Sequence, residues 1–433
     1  MKITFVKPNM IQGIPGDSME PRVFGILSAL TPPDIQRCLY DERLEAIPFD
    51  DPTDLVAITC DIYGAKRAYQ IASEYRRRGV QVALGGFHPS LCPDEAGGYA
   101  DSVIIGDAED TWPDVIQDAR DGMLQPIYRS GFSGFENSVA DYRIFDGKRY
   151  GPVRVAEYNR GCRFACDFCS IRAMYNGKIR RRSLGELLDE IERSRKHHLV
   201  FADDNLYADK ASLGELLRGL QSLKVRWSCQ ISSDVVRDPA LVAHMAEAGC
   251  VSVTIGIESL DAANLDQMHK SWMGLDLRRV IRSFQEHGIL VYGTFVLGYD
   301  HDTPEAFDRI LEFAMNSNLF LANFNPLVPT PGTPLYDRLK AENRLLYDKW
   351  WLDPRYRYGD CVFQPRHMTP EQLRDGCFRL RREFNKARRI MARFPGMPWR
   401  RMNPYKAGVF IAANYVSRKE IYRKQGKPLG AVQ

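Results

Sequence analysis

The sequence has no run of about eighteen uncharged apolar residues, so no segment reads as a membrane-spanning helix. It has no charged leader ahead of an apolar core; the opening stretch MKITFVKPNM reads as a first β-strand, and the chain is expected in the cytoplasm. Ten cysteines in 433 residues are too sparse for a disulfide scaffold. In a reducing compartment a tight cysteine group points instead to metal or redox chemistry. No repeat of solenoid period and no low-complexity tract occurs. What the chain does have is apolar content, 44%, enough at this length for a large core divided over roughly two or three domains.

The formal net charge of +4 hides an asymmetry. From Arg366 onward 17 Lys and Arg stand against 4 Asp and Glu, a surplus of +13, which leaves +4 minus +13, or −9, for the first 365 residues. Such a basic tail suits an anionic substrate, nucleic acid or an acidic membrane surface, and a solvated helical face has the same composition.

Residues 1–125 alternate apolar runs (KITFVKP, DLVAITC, VQVALGG, DSVIIGD) with amphipathic stretches such as GAKRAYQIASEYRRRG, which predicts a doubly wound, Rossmann-like parallel α/β sheet. Ligands of such sheets sit at the carboxyl ends of the strands, where PNM, CDIYG and GGFHP fall. Gly85 and Gly86 would let the backbone approach a ligand there, or simply make a tight turn. Residues 126–152, rich in Gly, Ser and aromatics, read as a linker. From 153 to 335 six further strand and helix units (strands in VRVAEYNRG, HLVFADDN, RWSCQISSDV, VSVTIGIES, LVYGTFVLGYD and LANFNPLVP) are too few for a full eight-stranded barrel and fit a partial one. Residues 336–433 read as a mainly helical, basic region.

The stretch NRGCRFACDFCS puts Cys162, Cys166 and Cys169 within eight positions, just past the first strand of the second unit. Clustered thiolates bind zinc or iron-sulfur, and purely structural sites of either kind prefer four protein ligands. Three ligands leave a position open for something from outside. The spacing CxxxCxxC differs from the paired CxxC of zinc ribbons, and His197 and His198 fall too far along to complete a zinc site.

CxxxCxxC with an aromatic residue, Phe168, before its third cysteine, at the end of the first strand of a partial barrel, resembles the radical S-adenosylmethionine superfamily over about residues 150–335. The resemblance implies that Cys162, Cys166 and Cys169 hold a 4Fe-4S cluster whose fourth iron is chelated by the amino and carboxylate groups of S-adenosylmethionine. One-electron reduction then releases methionine and a 5'-deoxyadenosyl radical that abstracts hydrogen from an unactivated carbon, with an electron donor such as flavodoxin or ferredoxin implied. On the same resemblance, Asp203, Asp204 and Asn205 stand where the superfamily grips the methionine amino group. Ser232 would bond the carboxylate, Glu258 the ribose hydroxyls or amino group, and the Phe168 backbone the adenine edge. Each polar residue also reads as a helix N-cap, although capping accounts for only one carboxylate of the tandem pair.

GGFHP followed by GDAEDTW resembles the cobalamin-binding domain that precedes the radical domain in one branch of the superfamily, matching at Gly85, Gly86, His88, Pro89, Gly106 and Glu109. NPLVPTPGTPLYDRL resembles a segment of members acting on tetrapyrroles and hopanoid lipids. DxHxxG, the source of a cobalt-ligating histidine elsewhere, is missing: YDERLEAIPFDD has no histidine, and His88 reads as a structural residue at a strand end. The branch implies cobalamin-dependent methylation of an unactivated carbon on an amphiphilic small molecule, lipid-like or tetrapyrrole. Alternatives are radical cyclisation, rearrangement or oxidation without methyl transfer, a methylthiotransferase drawing on Cys38, Cys60 and Cys92, and a non-catalytic iron-sulfur or cobalamin carrier. The tail, with Trp399, Tyr405, Phe410 and Tyr415 among its arginines, is expected to cap the barrel's open side. Peripheral membrane docking and a grip on a propionate-bearing or phosphorylated substrate are further readings; a nucleic-acid partner is not expected.

Overall fold

The computed structural model describes residues 1–14, 19–194, 196–270, 274, 276–397 and 403–431; Trp399 lies outside them. The first unit is a six-stranded parallel sheet of β1 (Lys2–Lys7), β2 (Gln36–Asp41), β3 (Leu55–Thr59), β4 (Gln81–Gly85), β5 (Ser102–Ile105) and β6 (Ile127–Arg129), in the order β2-β1-β3-β4-β5-β6. Helices Arg22–Leu30, Ala65–Arg77 and Trp112–Asp121 join these strands. The apolar runs of β1, β3 and β4 are buried along nearly their whole length, as parallel strands covered on both faces must be. Two strands fall where none was expected. β2, in QRCLYD, extends the sheet beside β1, and β6 arises from the segment read as linker and pairs with β5 at Val103 and Ile127. That segment goes on to bury Phe135 and Phe145.

The chain then enters β7 (Arg154–Ala156), a small antiparallel pair formed by β8 (Asn159–Arg160) and β9 (Arg180–Arg181), and β10 (His198–Phe201). β11 (Arg226–Gln230), β12 (Cys250–Glu258), β13 (Leu290–Leu297) and β14 (Leu321–Pro326) complete the partial barrel, all parallel in the order β14-β13-β12-β11-β10-β7. Consecutive strands are joined by helices, several of which start on an aspartate that accepts a first-turn amide: Asp209, Asp238, Asp261 and Asp276. Along β12, β13 and β14 buried and half-buried residues alternate, so one face packs on the helices and the other lines the barrel interior. One hydrophobic cluster runs from Val56 and Ile58 of the first sheet through Trp227, Val253 and Phe295 of the second.

Beyond the barrel, helix Pro370–Phe384 lies along the edge strand β14, with Phe384 and Phe324 rings 5.7 Å apart. Helix Pro404–Lys424 corrects the expected cap. It crosses the amino ends of the strands: Tyr405 meets His198 and Arg226, Lys406 donates to the Gly288 carbonyl, and Phe410 packs on Phe320. Tyr405, Phe410 and Tyr415 therefore sit at the opposite end of the barrel from the cysteines, out of reach of a substrate at its mouth. Among the described residues no helix is long and apolar enough to cross a membrane.

Candidate active site

The loop 161–169 leaves β8 and runs into helix Ser170–Tyr175, with Cys169 as the residue before the helix. Gly161 starts it in a left-handed conformation, φ +89°, where a Cβ would stand 2.0 Å from the Lys178 carbonyl oxygen. Neighbouring strand ends pin the loop. Asp203 accepts the amides of Tyr158 and Asn159 at 3.0 and 2.5 Å, and Asp204 accepts that of Gly161 at 2.8 Å. Asp167 accepts the Tyr299 hydroxyl at 2.6 Å, and the Phe168 ring stands edge-on to Tyr299 with centroids 6.2 Å apart.

The tandem aspartates thus hold backbone. β10 lies beside β7, so side chains at its end meet the amides where β7 turns into β8. With both oxygens taken and only 3% of its surface exposed, Asp203 does not reach toward a ligand, contrary to the expected grip on an ammonium. Burial pushes its carboxyl up to about 8, and that of Asp204 up to about 6, against the pull of the amides.

Asn205 and Ser232 meet across the ends of β10 and β11. The Asn205 amide donates to Ser232 Oγ at 3.1 Å and its oxygen accepts the Ser232 amide at 3.0 Å, while its nitrogen lies 3.9 Å from the Cys162 sulfur. Ser232 makes no side-chain cap. Glu258 ends β12 where the register against β13 slips, and its backbone is left-handed, φ +62°. Its Oε1 meets Lys270 Nζ at 2.8 Å, and Nζ also donates to the Gly256 carbonyl at 3.1 Å. Both side chains are buried. Burial works against the Lys270 ammonium, but Glu258 and Cys166 outweigh it and hold its pKa above the ordinary range. Lys270 went unrecognised in the sequence, where nothing links it to GIES.

Burial raises all three thiols, Cys166 to about 12. Amides of Phe164 at Cys162, and of Arg172 and Ile171 at Cys169, pull the other way. Buried thiols that resist ionising alone, with amides aimed at sulfur, fit a cluster whose irons supply the positive charge. Among the described residues no three ligating side chains converge as on a single ion. The charges of Cys169 and Cys162 raise Cys166 further, and that of Cys162 raises Cys169.

A cavity of about 240 Å³ lies between the carboxyl ends of the first sheet and the start of the cysteine loop, lined by Gly85, Gly86, Gly106, Glu109, Arg160 and Tyr175 among others. Gly86 needs its left-handed φ of +100°, because a Cβ there would come within 2.7 Å of the Cys60 carbonyl and Thr59 Oγ1. Arg160 spans the wall, 2.8 Å from Glu109, 3.3 Å from Asp107 and 2.9 Å from Glu157. Glu109 Oε1 is buried, and although close to that guanidinium it takes no hydrogen bond. That oxygen is ion-paired with Arg160, and the pair sets two opposite charges on the cavity wall for a polar ligand group. His88 is elsewhere: outside the cavity lining, it bonds Glu95 Oε1 at 3.0 Å and packs edge-on to Trp351, because the turn after Gly86 directs it toward the segment beyond the barrel. It is a structural histidine. Cys38, on β2 opposite Thr4, is not gathered with Cys60 and Cys92 into a second metal site.

A family profile described as the Radical SAM superfamily matches residues 157–314. The bacteriochlorophyllide d C-12(1)-methyltransferase of Chlorobaculum tepidum is 31% identical over 379 residues, covering 83% of this chain and 81% of that protein. The hopanoid C-2 methylase of Rhodopseudomonas palustris is 25% identical over 351 residues, 76% of this chain and 66% of that one. Among solved structures, the cobalamin-dependent S-adenosylmethionine radical enzyme OxsB, with aqua-cobalamin and S-adenosylmethionine bound, has the same fold, with a TM-score of 0.67 at 16% identity over 97% of this chain and 71% of that one. A fold of two parallel sheets with three cysteines at the barrel mouth defines a class of enzyme built on a 4Fe-4S cluster and S-adenosylmethionine. The chain belongs to the radical SAM superfamily.

Proposed function

We propose that the chain is a cobalamin-dependent radical C-methyltransferase acting on an unactivated carbon of an amphiphilic small molecule, of the tetrapyrrole or polycyclic lipid type. One observation carries this reading: the segment 160–175 holds the three cysteines and, through Arg160, Met174 and Tyr175, also lines the cavity at the end of the first sheet. Two cofactors would thus meet across a single loop. When bound, the cluster and S-adenosylmethionine supply a one-electron route to a C–H bond, and cobalamin supplies a methyl group.

The chain's own residues bind and position. Cys162, Cys166 and Cys169 would hold the cluster, with the amides of Phe164, Ile171 and Arg172 lowering the cost of negative sulfur. Asn205 and Ser232 offer polar atoms beside Cys162. At about 240 Å³ the cavity falls below the ~300 Å³ of ordinary small-molecule sites, so it would take only part of a corrinoid, with Gly85, Gly86, Gly106, Glu109 and Arg160 on its wall. Of the half-buried residues on the alternate face of β12, β13 and β14, Ser252, Thr254, Tyr292, Thr294, Asn323 and Asn325 carry hydrogen-bonding groups without formal charge, and Gly256, Val296 and Leu321 carry none. Such a lining suits a largely uncharged ring system. The relatives methylating bacteriochlorophyllide and hopanoids support the substrate class.

The deciding experiment is anaerobic reconstitution with hydroxocobalamin followed by gel filtration. Retention of a corrinoid spectrum, and transfer of a labelled methyl group from S-adenosylmethionine to a tetrapyrrole or hopanoid acceptor, is expected. A protein that keeps its iron and passes through free of corrinoid overturns the methylating reading in favour of cyclisation or oxidation.

A further inference from the structure

We propose that the exposed face of helix Pro404–Lys424 is a docking surface for an anionic lipid bilayer. The helix is apolar on two sides. Phe410 is buried against the barrel floor, Asn414 beside it donates to the Phe320 carbonyl, and Ile421 is buried further along the same stripe. About 100° round the helix Ile411, Tyr415 and Tyr422 follow one another at helical spacing, Tyr422 edge-on to Phe378 of helix Pro370–Phe384, and Val416 lies about another 100° further on. They are 60%, 64%, 58% and 56% exposed, among the most open large apolar side chains of the molecule. Met391, on the neighbouring helix Ala387–Arg393, is 72% exposed. A surface helix ordinarily turns polar residues outward. This one turns outward apolar residues and cations.

Charge identifies the occupant. Arg418 and Lys419 are exposed on the same face, and Lys419 Nζ stands 5.8 Å from the Tyr415 ring centroid. The helix has a single acid, Glu420, which is paired with Arg423 and Lys424. Two copies meeting through this face would oppose like charges, whereas an anionic surface satisfies them while the aromatic and aliphatic side chains enter the headgroup layer. Because the helix crosses the amino ends of the strands, docking would turn the cysteine loop away from the bilayer and toward solvent. The inference does not depend on the proposed function.

The test is flotation of the full-length protein with vesicles of phosphatidylcholine containing about one-third phosphatidylglycerol, against pure phosphatidylcholine. Binding to the anionic vesicles alone, weakening as salt rises, is expected. The double variant I411S/Y415S and the charge reversal R418E/K419E should each weaken it about tenfold while leaving iron content and melting unchanged, since the four side chains are exposed. Failure to bind anionic vesicles, or equal binding by both variants, overturns the proposal. So does a dimer, seen by light scattering, that I411S/Y415S dissolves, because the face would then belong to a second copy.

Discussion

The two parallel sheets bury themselves in different ways. In β1, β3 and β4 four, four and three consecutive residues are buried, so the first sheet has no open face and can meet a ligand only past its strand ends. In β12, β13 and β14 half-open residues alternate with buried ones, and the second sheet has a face to share with a substrate as well as ends for a cofactor. A sheet layered on both sides makes a fixed wall, whereas a curled one makes a container. Placing the cysteines between them uses each for what it can do.

Removing the container's metal while sparing the wall separates the two most sharply. Cys166→Ala should take iron from about four per chain to nearly none, measured by anaerobic iron and sulfide analysis, and leave corrinoid retention intact. Next in size is Lys270→Met, which strands Glu258 as a buried charge and should lower stability by about 3–5 kcal/mol in urea titration. Adding Glu258→Gln should recover much of that loss. Gly86→Ala acts on the wall: forced into a left-handed backbone against two oxygens at 2.7 Å, it should cost about 1–3 kcal/mol and abolish corrinoid retention while iron remains.

The smallest effect concerns the tie between the first sheet and the segment beyond the barrel. Glu95 accepts from His88, Trp351 and Tyr69 and pairs with Lys349. Burial pushes its carboxyl up, and these partners pull it further down, to about 2 from its ordinary 4.5. Its stabilising contribution is therefore complete above about pH 4.5 and disappears as pH falls toward 2. Acid unfolding of Glu95→Gln should accordingly be less steep between those values, read by circular dichroism.

The barrel strands, the cysteine loop and most of the first sheet were legible because hydrophobic period and cysteine spacing are local signals. β6 was not: three residues after Pro126, with Ile127 and Arg129 facing solvent, look like a linker until β5 offers them a partner. Asp203 illustrates the limit for single residues. Its acidity pointed to an ammonium, but which donors it meets depends on β7 lying beside β10, and the nearest are backbone amides. Lys270 was invisible for a similar reason, since only the slipped register after Gly256 turns Glu258 toward it. The basic tail declared its charge and hid its position.

Arg160 joins the wall to the container mechanically. Its guanidinium is held between carboxylates of both sheets' loops and stands over the Phe135 ring, with its carbon 4.2 Å from the ring centre, and its backbone is two residues from Cys162. A polar group drawn to Glu109 would therefore compete for Arg160, at the root of the cysteine loop.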